Sequence, residues 1–285
     1  MLQLQAGYSI IGNVVAFSAT NTLQLGGASN ASFDVSQIGT QYLGFGVFQK
    51  TGTSTWTLTG TTSTVTSWAI NAGTLAVSSD SNLGNSSGSL SFHGGTLQFL
   101  SGFTTSRAVT LNAGGGTFDT NGNNATLGGT ISGSGGLTKI GAGTLTLSGS
   151  NSYSGGTTLN AGTLAVGSNS ALGTGALTFA SGTTLQAAAN GLSLANAMTL
   201  NGTSTVDTQT NALTLLGTLS GSGGLTKIGA GTLTLSGSNS YSGGTTLSAG
   251  TLAVGSNSAL GTGDLTLRME PRCRPPPTGS RSPTR

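Results

Sequence analysis

The single histidine is the residue in this sequence best suited to acid–base or metal chemistry. Histidine serves as a general base and as a common metal ligand near neutral pH, and His93 is the only one in the chain. A second copy of the surrounding segment, described below, has Ala180 at the same position. With no second histidine to complete a site, we expect His93 to be a solvent-facing strand residue.

The aspartates are the next candidates, because a glycosidase or polysaccharide lyase on a β-helix needs a close pair of carboxylates. Asp119 in TFDTNG and Asp207 in TVDTQT occupy equivalent positions 88 residues apart, and Asp34 in SFDVSQ is a further relative. Asp80 aligns with Asn169, an exchange typical of Asx turns. A lone aspartate that recurs in each copy indicates a structural role rather than catalysis.

Serine, glycine and tyrosine motifs offer little further chemistry. No His–Asp pair is available to activate a serine, and the glycine-rich NAGGGTF and GSGGLTKIGAG lack the helix and GK[ST] of a phosphate-binding loop. Tyr153 and Tyr241 in NSYSGG could contact a ligand, but their recurrence favours a turn anchor. We therefore predict no catalytic residue, no cofactor and no metal site.

Composition narrows the class of protein. Only 5% of the residues are charged and 50 are glycine, yet the stretch Met1–Leu267 contains no proline, cysteine or glutamate. Disordered chains are usually charged and proline-rich, so this composition argues against disorder. The same stretch carries four Lys and Arg against five Asp, a net charge of −1, so the overall +3 arises in the segment that follows it. We infer no nucleic-acid or anionic-membrane partner.

An internal repeat organises the chain. Residues 130–178 and 218–266 differ at three positions, and KTGTSTWTLTG at Lys50 is a diverged relative of KIGAGTLTLSG at Lys139. The predicted divisions are diverged N-terminal coils over 1–43, repeat units over 44–129, 130–217 and 218–267, and a tail over 268–285.

Short alternating stretches predict the local structure. Apolar and polar residues alternate in TLTL, TTLNAGTLAV and ALTF, which are separated by Gly, Ser and Asn. That alternation is typical of strands, and no segment has capped helical periodicity. A long repeat favours a solenoid over a sandwich or barrel, because each coil buries its apolar face on its neighbours. We predict an all-β parallel β-helix with almost no helix and four coils of about 22 residues per unit.

The stretch GGLTKIGAGTLTLSGSNSYSGGTTLNAGTLAVG resembles the autotransporter-associated β-strand repeat of type V secreted proteins from Gram-negative bacteria. Three sub-motifs match in order: LTKIGAGTLTLSG, NSYSGGTTL and AGTLAVG. We expect the motif residues to be structural. They are Lys139, Gly141, Gly143, Tyr153, Gly155, Gly156 and Gly162, with Lys227, Gly229, Gly231, Tyr241, Gly243, Gly244 and Gly250 in the next copy.

The resemblance implies a right-handed parallel β-helix that acts as a passenger or stalk at the cell surface or outer membrane, or in secreted form. It also implies a C-terminal translocator β-barrel in the parent protein. An adhesin that binds a host or neighbouring-cell surface, or a self-associating module, is the alternative; a polysaccharide-degrading enzyme is the third hypothesis. We expect no enzyme activity. Unlike the family pattern, the chain shows neither a signal peptide nor the alternating strands of a barrel.

The last eighteen residues, RMEPRCRPPPTGSRSPTR, break the repeat. The 88-residue spacing predicts a copy of Ala180–Ala197 here. Codons compatible with 267–285, read one base earlier, encode ADGTTLQAAANGLSLANA, which matches Ala180–Ala197 at seventeen of eighteen positions. We predict a frameshift near Leu267 and an out-of-frame, disordered tail in which Cys273, Pro271 and the arginines carry no function.

Overall fold

A computed structural model describes residues 1–268, which form an all-β parallel solenoid of about 13 turns. Within that range the helical residues are confined to two short 3-10 turns, Val35–Gln37 and Asp80–Leu83, and no helix there has the length and hydropathy to cross a membrane. The predicted fold class is confirmed. The predicted frameshifted tail lies outside the described residues, apart from Arg268.

The strands are short and evenly spaced along the chain. The first sixteen are β1 (Leu2–Leu4), β2 (Val14–Val15), β3 (Thr22–Leu25), β4 (Ala31–Asp34), β5 (Tyr42–Leu43), β6 (Val47–Lys50), β7 (Thr55–Thr59), β8 (Trp68–Ile70), β9 (Thr74–Val77), β10 (Leu90–Phe92), β11 (Thr96–Phe99), β12 (Thr104–Thr105), β13 (Val109–Leu111), β14 (Gly116–Asp119), β15 (Ala125–Leu127) and β16 (Ile131–Ser132).

The nearly identical repeat copies supply most of the second half. Its strands are β17 (Leu137–Ile140), β18 (Thr144–Leu147), β19 (Thr157–Leu159), β20 (Thr163–Val166), β21 (Leu177–Phe179), β22 (Thr184–Ala187), β23 (Leu192–Leu194), β24 (Met198–Leu200), β25 (Ser204–Asp207), β26 (Leu213–Leu215), β27 (Leu219–Ser220), β28 (Leu225–Ile228), β29 (Thr232–Leu235), β30 (Thr245–Leu247), β31 (Thr251–Val254) and β32 (Leu265–Leu267).

These strands build three long faces. The first face holds β1-β3-β6-β8-β10-β13-β16 and, further along the solenoid, β23-β26-β29-β31. The second face runs β4-β7-β9-β11-β14-β17-β19-β21-β24-β27, and the third runs β12-β15-β18-β20-β22-β25-β28-β30-β32. A separate pair, β2-β5, forms a two-stranded sheet of its own. The chain passes the three faces in a constant order, although some passages lack a strand, and each circuit of the three faces is one coil.

The core fills the space inside the three faces. Alternate residues of a strand point to opposite sides, so the Leu and Phe positions enter the interior while Thr, Ser and Gln line the outside. Leu145, Leu164 and Leu185 stack directly on one another across β18, β20 and β22, and none of the three is exposed. Because every coil repeats this stacking, the buried side chains form one continuous cluster along the solenoid.

The strand register corrects the expected coil length. Leu137, Thr157, Leu177, Met198 and Leu219 are successive partners on the second face. The numbering advances by 20, 20, 21 and 21 between these partners, a total of 82 over four coils (219 − 137). Each coil is therefore slightly shorter than the predicted length. The 88-residue sequence repeat exceeds four coils by 6, which is enough chain to reach the next face.

Equivalent strands of consecutive repeat units consequently lie on different faces. The strand that carries the repeat lysine is β6 on the first face, β17 on the second and β28 on the third. Each repeat thus advances four coils plus one face. A given motif is presented in three directions around the solenoid as the units follow one another.

Candidate functional site

The repeat lysine lies inside the solenoid. In β17, Leu137 and Lys139 share one parity and point inward, while Thr138 and Ile140 are half-exposed. The Lys139 side chain is fully buried, and its Nζ donates to the carbonyl oxygens of Ile140 (2.9 Å), Gly141 (2.7 Å) and Ala161 (3.1 Å). It also contacts Thr120 Oγ1 at 3.0 Å. The ammonium therefore joins the turn that follows its own strand to the same turn of the next coil.

The other two lysines make the same contacts on the other faces. Lys50 Nζ donates to the carbonyls of Thr51 (2.6 Å), Gly52 (3.2 Å) and Ala72 (3.2 Å). Lys227 Nζ donates to the equivalent carbonyls of Ile228 (2.8 Å), Gly229 (2.8 Å) and Ala249 (3.0 Å). Burial disfavours the charged form and lowers the pKa of Lys50 and Lys139 to about 8.

The repeat glycines allow consecutive coils to approach closely. A Cβ on Gly143 would overlap the carbonyl oxygen of Asn123, and one on Gly231 would overlap that of Asn211. Gly162 and Gly250 have φ of +69° and +71°, which L side chains rarely adopt. The remaining motif glycines lie in the turns between strands: Gly141, Gly155, Gly156, Gly229, Gly243 and Gly244.

The repeat tyrosines are also internal. Tyr153 is fully buried, and its hydroxyl bonds Thr157 Oγ1 at 2.6 Å. Burial raises the pKa of Tyr153 to about 12. Tyr241 bonds Thr245 in the same way. Both rings fill segments of the solenoid that lack a strand on one face, so these tyrosines do not present a ligand-binding surface.

The candidate catalytic residues are dispersed. His93 is exposed in the turn between β10 and β11. Asp119 accepts from the backbone N–H of Asn121 (2.8 Å) and from Gln98 Nε2 (2.8 Å). Asp207 makes the corresponding contacts with Gln209 and Gln186 on another face. Within residues 1–268 no three His, Cys, Asp or Glu side chains form a group that could hold a metal.

Asp34 and Asp80 have local partners instead. Asp34 Oδ1 accepts from the N–H of Ser36 at 2.9 Å. Asp80 forms an ion pair of 2.7 Å with Arg107 Nε. The buried Arg107 guanidinium also donates to several loop carbonyls, including that of Gly84. Sequence reasoning missed this pair, because neither Asp80 nor Arg107 recurs in the other repeat copies and the two residues are 27 positions apart.

The exterior carries in-register rows of threonine, which we call threonine ladders. The ladder of the second face is Thr55, Thr74, Thr96, Thr117, Thr138, Thr158, Thr178 and Thr199, followed by Ser220. The ladder of the third face is Thr144, Thr163, Thr184, Thr205, Thr226, Thr246 and Thr266. Parallel strands place neighbouring rungs about 4.8 Å apart.

Comparison with known proteins gives two similarities. Residues 48–77, 137–166 and 225–254 each match the passenger-associated-transport-repeat family. The chain is also 35% identical over 188 residues to the adhesin BmaC autotransporter of Brucella suis biovar 1 (strain 1330). That alignment covers 62% of this chain and 6% of the relative, so the chain spans a small part of that protein's length. No solved structure matches the chain.

Fold and contacts together define a class: a parallel β-solenoid whose sequence repeat encodes contacts between consecutive coils. Each matched segment begins at or just after the start of the strand that carries the buried lysine and ends with the strand of sequence TLAV. The chain carries three passenger-associated-transport repeats and is similar to part of an autotransporter adhesin. The resemblance inferred from the sub-motifs is confirmed.

Proposed function

We propose that this passenger segment is a non-enzymatic stalk that supports secretion and surface display. The observation that carries the proposal is that the recurring lysines and tyrosines of the repeat point inward. Lys139 and Tyr153 are fully buried and bonded within the solenoid, as are their copies Lys227 and Tyr241. Lysines and tyrosines that bound a ligand would lie at the surface, so their burial favours a role in the stacking of coils.

The repeat residues have structural roles under this proposal. The lysines join the turns of adjacent coils, the tyrosines fill segments without a strand, and the glycines permit close backbone approach. Each coil buries the apolar face of the preceding one. Coils can therefore fold in succession as the chain emerges from a C-terminal translocator β-barrel of the parent protein. The product remains at the cell surface or is released.

The stalk is tested by surface display. The full chain is placed between an export signal with an epitope tag and a translocator barrel, and protease resistance is followed on intact cells. We expect a resistant rod, and we expect the double variant Lys139→Ala/Lys227→Ala to lose resistance because two sets of buried carbonyls lose their donor. Thr138→Ser, on the outside of β17, is the matched control. Equal resistance of the double variant and the control would contradict the structural role of the lysines.

Self-association is the second candidate, and the threonine ladders favour it. The second face presents eight threonines and one serine in register, without a charged side chain in that row. Another copy of the chain has the same spacing of about 4.8 Å between rungs. Two such faces can interdigitate at every rung, as identical stacked strands do in dry zippers.

Sedimentation of the purified chain tests self-association. We expect the average mass to rise with concentration, and the variant Thr138→Lys/Thr158→Lys to remain monomeric because like charges would face each other. Thr110→Lys, exposed on β13 of the first face, is the control. A chain that stays monomeric at every concentration, or a ladder variant that associates as the control does, would exclude this role for the second face.

A polysaccharide-degrading activity finds less support. Glycosidases hold two carboxyl groups within about 10 Å of each other. Asp119 and Asp207 lie on different faces, and each is bonded to a turn amide and a glutamine. Absence of turnover on pectin-like and glucan substrates is the expected result.

A further inference from the structure

One strand of the last repeat unit is partly exposed, although the same sequence is buried elsewhere in the chain. The sequence TLAV forms β20 in the second unit and β31 in the third. Leu164 and Val166 of β20 are fully buried, whereas Val254 of β31 is 56% exposed. The residues are the same, so the difference arises from what lies on the C-terminal side of each strand.

The cover of β20 is a strand from the next coil. β22 pairs with it in the register Thr163↔Thr184 to Val166↔Ala187. The N–H of Thr184 donates to Gly162 O (3.1 Å), and that of Ala188 donates to Val166 O (2.9 Å). The next strand, β23, stacks on the stretch between β20 and β21, where the N–H of Ser193 donates to Asn169 Oδ1 at 2.9 Å. Leu172 in that stretch is fully buried. Its counterpart in the third unit, Leu260, is only partly buried.

The shifted reading frame predicted above would supply a strand of the same sequence as β22. In the frame-shifted sequence ADGTTLQAAANGLSLANA, the letters TLQA stand 88 residues after β22, and LSL stands 88 residues after β23. We propose that the open edge of β31 is the docking surface for this frame-shifted coil. Its TLQA pairs with Thr251–Val254 in the register of β22 on β20, and its LSL covers Leu260.

The proposal distinguishes two parts of the same open end. Leu265 and Leu267 of β32 are 45% and 61% exposed. Their counterparts on β21 are covered by β24, which begins at Met198. With the 88-residue offset, the copy of Met198 would stand at position 286 (198 + 88), one residue beyond the eighteen shifted residues. The frame-shifted coil therefore covers β31 and leaves β32 open, which provides an internal control.

The experiment compares the existing chain with a chain in which one inserted base restores the shifted frame through eighteen residues. Val254→Cys is the probe, in the Cys273→Ser background of the existing chain; the restored chain has no other cysteine. We expect maleimide labelling of Val254→Cys to slow by about tenfold or more in the restored chain, because labelling then requires local opening. Leu267→Cys should react equally fast in both chains, and Val166→Cys slowly in both.

Three results would overturn the proposal. Equal labelling of Val254→Cys in the two chains would show that the shifted residues do not cover β31. Equal slowing at Leu267→Cys would indicate general compaction rather than the specific register. Concentration-dependent protection of Val254→Cys in the existing chain would assign β31 to a second copy. Fast labelling of Val166→Cys would indicate a misfolded chain. Leu252→Cys then replaces Val254→Cys as the probe on β31, in existing and restored chains whose circular dichroism spectra match.

Discussion

The second and third repeat units place one sequence in two environments. Residues 137–166 and 225–254 differ only at Asn160 and Ser248, yet the TLAV strand is buried in the first segment and partly exposed in the second. The tyrosine contacts and the three carbonyl contacts of the lysine are nevertheless the same in both. These contacts therefore follow from the sequence of the unit itself, while the burial of TLAV depends on whether a following coil is stacked on it.

The largest expected difference between the units is in the leucine of TLAV. Leu164→Ala should lower the free energy of unfolding by about 2–5 kcal/mol, because it leaves a cavity in a closed core. Leu252→Ala, in the partly open β31, should cost about 1 kcal/mol or less, because the side chain is only half-buried in the folded chain. Urea unfolding of both variants measures the difference. Equal losses would mean that β31 is as well covered in solution as β20.

The lysines should show a smaller difference. Replacing Lys139 with Met removes the donor of three buried carbonyls, and an unsatisfied buried acceptor costs about 1–3 kcal/mol. Lys227→Met should cost slightly less, because Lys139 also contacts Thr120 Oγ1. Thermal unfolding of both variants beside Thr138→Ser provides the comparison. A Lys139→Met variant as stable as the control would show that the carbonyls find other donors.

The tyrosines should show no difference between units. Tyr153→Phe and Tyr241→Phe each remove one buried tyrosine hydroxyl and its hydrogen bond to a threonine, which costs about 1 kcal/mol in the free energy of unfolding. Both rings are fully buried, because their cover comes from coils that are present in each unit. Equal shifts in the urea midpoint are expected. Unequal shifts would mean that the open end loosens the third unit as far back as Tyr241.

Much of this architecture could be predicted from sequence, since alternation and self-similarity are local signals. The coil length could not, because an 88-residue repeat fits four equal coils as readily as four shorter coils plus one face. Only the pairing of Leu137 with Thr157 distinguishes the two. The error matters for function, because whole coils would align all repeats on one face rather than distribute them over three.

The burial of the lysine could have been predicted from its position in the strand, although its low hydrophobicity argues against burial. In LTKI, Lys139 shares the parity of Leu137, whereas Ile140 has the opposite parity. A ranking by hydrophobicity places Ile140 inside. Successive side chains of a strand point to opposite sides, however, so only one of Lys139 and Ile140 can point inward. The threonine ladders follow from the same parity. The Asp80–Arg107 pair carried no such signal, because neither residue recurs in the repeat.

The last expected effect is a dependence of stability on pH, to which both units contribute. Burial lowers the pKa of Lys139 to about 8, whereas an unfolded lysine titrates near 10.4. Between these values the unfolded chain holds a proton that the folded chain has released, so the free energy of unfolding should rise with pH. Above about pH 10 the trend should reverse, because unfolded tyrosines ionise while the pKa of Tyr153 stays at about 12.

Urea midpoints at pH 7.5, 9 and 10.5 test this dependence, which both lysine-bearing units share because burial lowers the pKa of Lys227 as well. Lys139→Met should reduce the rise, and so should Lys227→Met, whereas Thr138→Ser should retain it in full. A stability that stays level between pH 7.5 and 9 would mean that the three carbonyls hold the ammonium protonated throughout. The lysines would then act as fixed buried charges, and the contribution of each would be lost only above the pKa of an unfolded lysine.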